Sequence, residues 1–213
     1  GCTSLTSIPN IEGLKKLNCV GCTSLTSIPI IEGLETLGVG WTSITFIPNT
    51  EGLKKLSCIG LERLTFIPNI VGLEELYCRV CPSLTSIPNI EGLKSLDCVD
   101  CTSLTSIPNI EGLQRLECID CTSLTSIQNI KGLKELWCCD CTSLTSIPNI
   151  EGLRNFECSG CTSLTSIPNI EGLKRLYCEG CPWIKPDQER MDKLIKLQRW
   201  FDRFLRSTSI EKI

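Results

Sequence analysis

Apolar side chains recur along the chain with two alternating spacings. Near residue 96, Leu96 and Cys98 alternate with Ser95, Asp97 and Val99. A two-residue period over so short a run predicts a strand with Leu96 and Cys98 facing inward. From Cys101 the spacing becomes three: Cys101, Leu104, Ile107, Ile110 and Leu113. That period fits a 3₁₀ or polyproline-like path and not a long helix. Pro108 suits an extended return path, and Gly112 a tight corner.

The pattern is a repeat. The stretch from Gly21 to Pro29 reproduces that from Gly1 to Pro9 residue for residue, and the phrase returns after Asp100, Asp120, Asp140 and Gly160. Diverged copies start at Gly40, Gly60 and Val80, which makes nine copies of about 20 residues. The second copy is one residue short, so that Trp41, like Leu61, takes the second cysteine's place and Val39 falls at or beside the first. A single copy cannot bury its own apolar edge. Stacking copies at about 4.8 Å per strand closes a core and pairs the backbone.

Read from Leu93, the unit is Leu93-x-x-Leu96-x-Cys98-x-x-Cys101-x-x-Leu104-x-x-Ile107-Pro108-x-Ile110-x-Gly112. It resembles the leucine-rich repeat over about residues 1–183. The short unit is most similar to the 20-residue class of bacterial secreted effectors, and the Cys-Thr-Ser-Leu-Thr-Ser phrase to plant immune-receptor repeats. The fold implied is an α/β solenoid: an arc with a parallel sheet on its concave face, an irregular or 3₁₀ convex side, and a C-terminal helical cap. The domains expected are a solenoid over 1–181 and a cap and tail over 182–213.

Composition narrows the function. The 213 residues are 41% hydrophobic and 21% charged, a folded composition. Histidine is absent, which removes histidine acid–base chemistry and Cys/His zinc sites. No nucleophile–base pair or phosphate loop is present, so we expect no enzyme and no cofactor. A net charge of −3 argues against nucleic acid as a partner. No apolar run reaches the roughly 18 residues of a membrane span, so no membrane partner is expected. The chain opens Gly1-Cys2-Thr3-Ser4 without an initiator Met, a basic region or an apolar segment, which predicts a processed or truncated start and no signal peptide. The first coil begins mid-unit, so either further repeats precede it or this edge docks on another subunit by self-association.

The 17 cysteines admit two readings. Seven Cys-x-x-Cys pairs, from Cys19/Cys22 to Cys178/Cys181, carry zinc-ribbon spacing from Cys78 onward, and so predict a metal-binding array. The repeat frame predicts instead two ladders of small buried thiols, since Leu61 and Trp41 can replace a packed cysteine but not a ligand. Parallel Cβ vectors one coil apart are too wide for disulfides. We adopt the buried ladders and no metal site. Reduced thiols point to a reducing intracellular compartment. Cys139 falls on an outward strand position and is expected to be the one reactive thiol.

The outward columns vary while the core repeats. Tyr77, Trp137 and Tyr177 stand in one file of an aromatic-poor chain. Asp97, Glu117, Glu135 and Glu157 place acid beside them, and Val99 and Ile119 add apolar area. Rings flanked by charge resemble the anchors and rim of a protein interface, here for a basic peptide or protein. The alternative is a solvated face. Asp100, Asp120 and Asp140 lie at the strand exit and admit a Ca²⁺ reading. A threonine occupies one place in every copy, from Thr6 to Thr165. It is expected to cap loop backbone, with an ice-binding array as the alternative.

The tail reads as a helix from Asp187, behind Pro186, to about Arg206, with Met191, Leu194, Ile195, Phe201, Phe204 and Leu205 on one side. Such a helix would cover the open end of the solenoid. Leu197-Gln198-Arg199-Trp200-Phe201 resembles a fragment of a calmodulin-type IQ motif, with Asp202 where its central Arg would stand. The tail also resembles the ends of repeat proteins of large DNA viruses of protists, which implies a viral repeat protein in host cytoplasm or virion. Together these residues predict a protein-binding or assembly scaffold. The alternatives are a structural component of a larger assembly, such as a virus particle, and the metal-binding array.

Overall fold

Each leucine-bearing phrase contributes one three-residue strand. In the computed structural model, which describes residues 1–182, these are β1 (Lys16–Asn18), β2 (Thr36–Gly38), β3 (Lys55–Ser57), β4 (Glu75–Tyr77), β5 (Ser95–Asp97), β7 (Arg115–Glu117), β9 (Glu135–Trp137), β10 (Asn155–Glu157) and β11 (Arg175–Tyr177). They form a nine-stranded parallel sheet in that order, without crossovers. Strands pair with no slip: Leu76 stands opposite Leu96, and Leu96 opposite Leu116. A slip of one residue would turn the leucine column out to water, so burial fixes the register. Past each strand the pairing continues, with Cys98 N–H donating to Glu117 O at 2.8 Å and Asp100 N–H to Ile119 O at 2.9 Å.

A left-handed residue then sends the chain inward. Gly21, Gly60, Gly160 and Gly180 hold this place at φ of 72–75°, and Asp100, Asp120 and Asp140 hold it at φ of 55–59°. Aspartate tolerates this backbone better than most side chains. Trp41 and Val80 hold it too, at φ 55° and 56°. Trp41 N–H donates to Ile59 O, as Gly60 N–H donates to Arg79 O. This corrects the sequence alignment: Trp41 stands at the left-handed residue and not at the second cysteine's place, because the residue missing from this copy falls after it.

Of the 3₁₀ and extended, irregular return paths expected, the structure has the irregular one, with no 3₁₀ run among the described residues. Leu104 N–H donates to Cys101 O at 3.0 Å and Leu113 N–H to Ile110 O at 3.3 Å, but these are isolated turns. The residues between them pair sideways with the next coil. Thr125 N–H donates to Thr105 O at 3.0 Å, and β6 (Ser106–Ile107) pairs with β8 (Ser126–Ile127) in a short second parallel ladder. Backbone groups engaged sideways cannot close consecutive helical turns. No helix of any kind occurs among the described residues, so this part is an all-β solenoid and not an α/β one. The cap helix expected over 187–206 lies outside the described residues.

The core is a stack of rows. Leu96, Cys98, Cys101, Leu104, Ile107, Ile110 and Leu113 are fully buried, and the neighbouring coils repeat the set. All 17 cysteines are free thiols, and all but Cys2 are buried. The second cysteine of each pair from Cys78/Cys81 onward has a polar task. Cys101 Sγ donates to Cys78 O at 3.0 Å, Cys121 Sγ to Cys98 O at 3.1 Å, and Cys141 Sγ to Cys118 O at 2.9 Å. Each thiol satisfies an inward carbonyl of the preceding coil. Leu61 cannot do this for Val39 O, and Thr42 Oγ1 donates to that carbonyl instead, at 2.8 Å. Thr42→Val is therefore expected to cost roughly 1–3 kcal/mol, the penalty of an unmet buried acceptor. Adding Leu61→Cys should recover part of that loss, because a thiol then stands where the other coils place their donor. Urea denaturation of the four members of the cycle measures the coupling.

Candidate binding face of the large sheet

Outward residues of adjacent strands lie one coil apart, so long side chains reach across to their neighbours. Two clusters result. In the first, the Tyr77 hydroxyl donates to Glu75 Oε2 at 2.9 Å, and Lys55 Nζ donates to the same oxygen at 2.8 Å. Lys55 also sits 4.6 Å from the centre of the Tyr77 ring. The Lys55 hydrogen bond, followed by that of Tyr77, holds the Glu75 carboxyl below its usual range.

The second cluster is larger. The Arg115 guanidinium lies 4.3 Å from the centre of the Trp137 ring. It pairs with Glu117 through Nε and Nη2, and with Glu135 Oε2 at 3.2 Å. Arg79 Nε donates to Asp97 Oδ2 at 2.5 Å, and its Nη2 to Glu117 Oε2 at 3.1 Å. Asn155 Nδ2 donates to Glu135 Oε1 at 3.0 Å. One polar chain thus runs from Arg79 to Asn155, with Trp137 on its flank.

This geometry alters the expected site. Asp97 and Glu117 are buried, at 3% and 9% exposure, and are not free acids awaiting a basic ligand. Arginines of the same face lie over them and hold them in ion pairs. Burial raises the Asp97 carboxyl above its ordinary value, Arg79 opposes this, and Glu117 adds to it. Glu135 is half-buried and paired, and Tyr77, Val99, Ile119, Trp137, Glu157 and Tyr177 are half-buried on the same face. The outward columns are legible in the sequence, and the structure adds Lys55, Glu75, Arg79 and Arg115 to the site. The signal was present as opposite charges in outward columns one coil apart.

Cys139 is a further correction. It lies on the outward face but is only 8% exposed, and burial followed by the Glu157 charge pushes its thiol up to about 12. A covered thiol with so high a pKa is a poor nucleophile. Cys2 is the exposed one. Brief alkylation of the native protein, read by mass spectrometry, is expected to label Cys2 and spare the other 16; rapid labelling of Cys139 would contradict the structure.

Asp100, Asp120 and Asp140 recur because the left-handed turn accepts aspartate. Burial raises the Asp120 carboxyl, and its two file neighbours raise it further. No group of three or more Cys, Asp or Glu side chains among the described residues converges in a way suited to a metal ion.

In-register parallel strands, inward leucines and thiol-capped turns define a leucine-rich-repeat-like solenoid. Among solved structures, the chain is similar to a leucine-rich repeat protein from Bacteroides ovatus, at 18% identity over 86% of this chain and 72% of that one, with a TM-score of 0.41. No family model matches the sequence, and no curated protein does.

Proposed function

We propose that this chain is a non-enzymatic scaffold that binds a protein partner on the outward face of its nine-stranded sheet, the concave face of a leucine-rich-repeat solenoid. The two ring-and-cation clusters carry this reading. Tyr77 and Trp137 project from strands, and each is held by a cation that is itself held by a carboxylate. Rings fixed in advance lose little freedom on binding, and Trp, Tyr and Arg dominate interface energetics. Glu75, Asp97, Glu117 and Glu135 are already paired with neighbouring cations, so the partner surface is apolar with mixed charge rather than uniformly basic.

The test is recovery of the chain with its partner from the native source, followed by the Tyr77→Ala, Trp137→Ala, Tyr177→Ala triple variant. Loss of at least about 30-fold in affinity, with the melting temperature little changed, is expected of central anchors. Retention of the partner by the triple variant would remove this face from consideration.

A further inference from the structure

Two adjacent departures from the repeat lie away from the ring-and-cation clusters. The coil that lacks a residue carries Trp41-Thr42-Ser43, and the next coil replaces the Cys-Thr-Ser phrase by Leu61-Glu62-Arg63. These stretches adjoin in space and border a cavity of about 310 Å³, at the small end of the range for small-molecule sites.

Trp41 is held there against its own preference. Its φ of 55° is a backbone that bulky residues avoid, and glycine holds the equivalent point in four other coils. The ring lies across Gly60, where a Cβ would come within 2.4 Å of Trp41 Cε3. A glycine on the next coil is thus what gives the indole its seat. The indole remains 49% exposed, an apolar platform at the cavity wall.

The polar rim sets the ligand class. Thr42 Oγ1 donates to Val39 O and accepts from Ile44 N–H at 3.4 Å, and Ser43 Oγ spends its proton on Thr23 O at 2.6 Å; both residues border the cavity, and the Ser43 oxygen keeps acceptor capacity. The Glu62 and Arg63 side chains are exposed and have no hydrogen-bonding or ionic partner among the described residues. A carboxylate and a guanidinium side by side disfavour a ligand with net charge of either sign. They favour a neutral one that donates and accepts many hydrogen bonds while showing one apolar face to the indole. A pyranose ring meets those terms, with its axial C–H groups on the aromatic plane and its hydroxyls toward Glu62, Arg63 and Ser43. The geometry points to a saccharide-binding subsite at Trp41, independent of the sheet face above.

The probes are neutral monosaccharides taken one at a time: glucose, galactose, mannose, xylose, fucose, N-acetylglucosamine and N-acetylgalactosamine. Saturation-transfer NMR reads the sugar, and the indole N–H resonances of the ¹⁵N-tryptophan-labelled protein read the site. At least one sugar is expected to shift the Trp41 signal saturably and leave that of Trp137 unmoved. Trp41→Gly, and separately Glu62→Thr with Arg63→Ser, should each weaken that binding at least about tenfold. Each variant restores what other coils hold, Gly21 in one case and Thr102-Ser103 in the other, so folding is expected to be kept, as circular dichroism will check. Silence of the Trp41 resonance toward the whole panel, or sugar binding that survives both variants, overturns the assignment.

Discussion

Truncating Phe156 to alanine is expected to destabilise the solenoid by about 3–5 kcal/mol, whereas Phe156→Leu should cost less than about 1.5 kcal/mol. Phe156 is the central residue of β10, 1% exposed, and stands in register between Leu136 and Leu176. All other strands of the large sheet carry leucine at this point. Leucine therefore fits the row by design of the repeat, while alanine leaves a void that rigid flanking coils cannot collapse to fill. In a stacked array each coil is held mainly by its neighbours, so a void between β9 and β11 also weakens the coupling of the last strand to the rest. A broadened or two-step urea transition is expected for Phe156→Ala, with a lower slope than the wild type. An alanine variant within about 1 kcal/mol of the parent would mean that the phenyl ring is not packed in the row.

The rows themselves were legible in the sequence because one period governs them. Leu96, Cys98, Cys101, Leu104 and Ile107 recur at fixed intervals, and a one-residue slip of the strands would turn the inward column to water. What the period does not encode is lateral reach. Asp97 reads as an exposed acid in its own coil, but it is buried among side chains of the neighbouring coils and paired with Arg79. Cys139 likewise stands outward by parity yet is covered by its surroundings. The three-residue spacing after Cys101 fits isolated turns as well as it fits a 3₁₀ helix, and the pairing of Thr105 with Thr125 decides between them. The Trp41 cavity was visible only as two irregular copies. Their adjacency depends on a one-residue deletion whose position the sequence leaves open by a residue.

Replacing Arg79 by methionine is expected to cost roughly 1–3 kcal/mol at neutral pH, below the value for a fully buried pair because the Arg79 side chain is itself 44% exposed. Methionine keeps an apolar stem over the sheet, so the loss isolates the charge. The pH dependence gives the sharper test. Burial already holds the Asp97 carboxyl above its ordinary value, with Arg79 acting against that rise. Without the guanidinium the folded-state value moves further up, while the unfolded value stays near 3.9. A carboxyl raised by folding favours the native state below its unfolded value, where it is protonated in both states, and that advantage is lost as pH rises through the folded value. The Arg79→Met penalty should therefore be small at the acid end and grow with pH until Asp97 is ionised in the native state. Asp97→Asn in the same background should remove the Asp97 part of this slope, because the amide has no proton to lose. Urea midpoints of the parent, the single variant and the double variant across this range decide the matter. A penalty that is flat with pH would show that Arg79 stabilises the face by packing alone and that Asp97 is ionised without its help. The same experiment bears on Trp137, because Glu117 is shared between Arg79 and Arg115. With Arg79 gone, Glu117 serves Arg115 alone, and the Arg115–Trp137 stack should persist with an unchanged tryptophan emission spectrum.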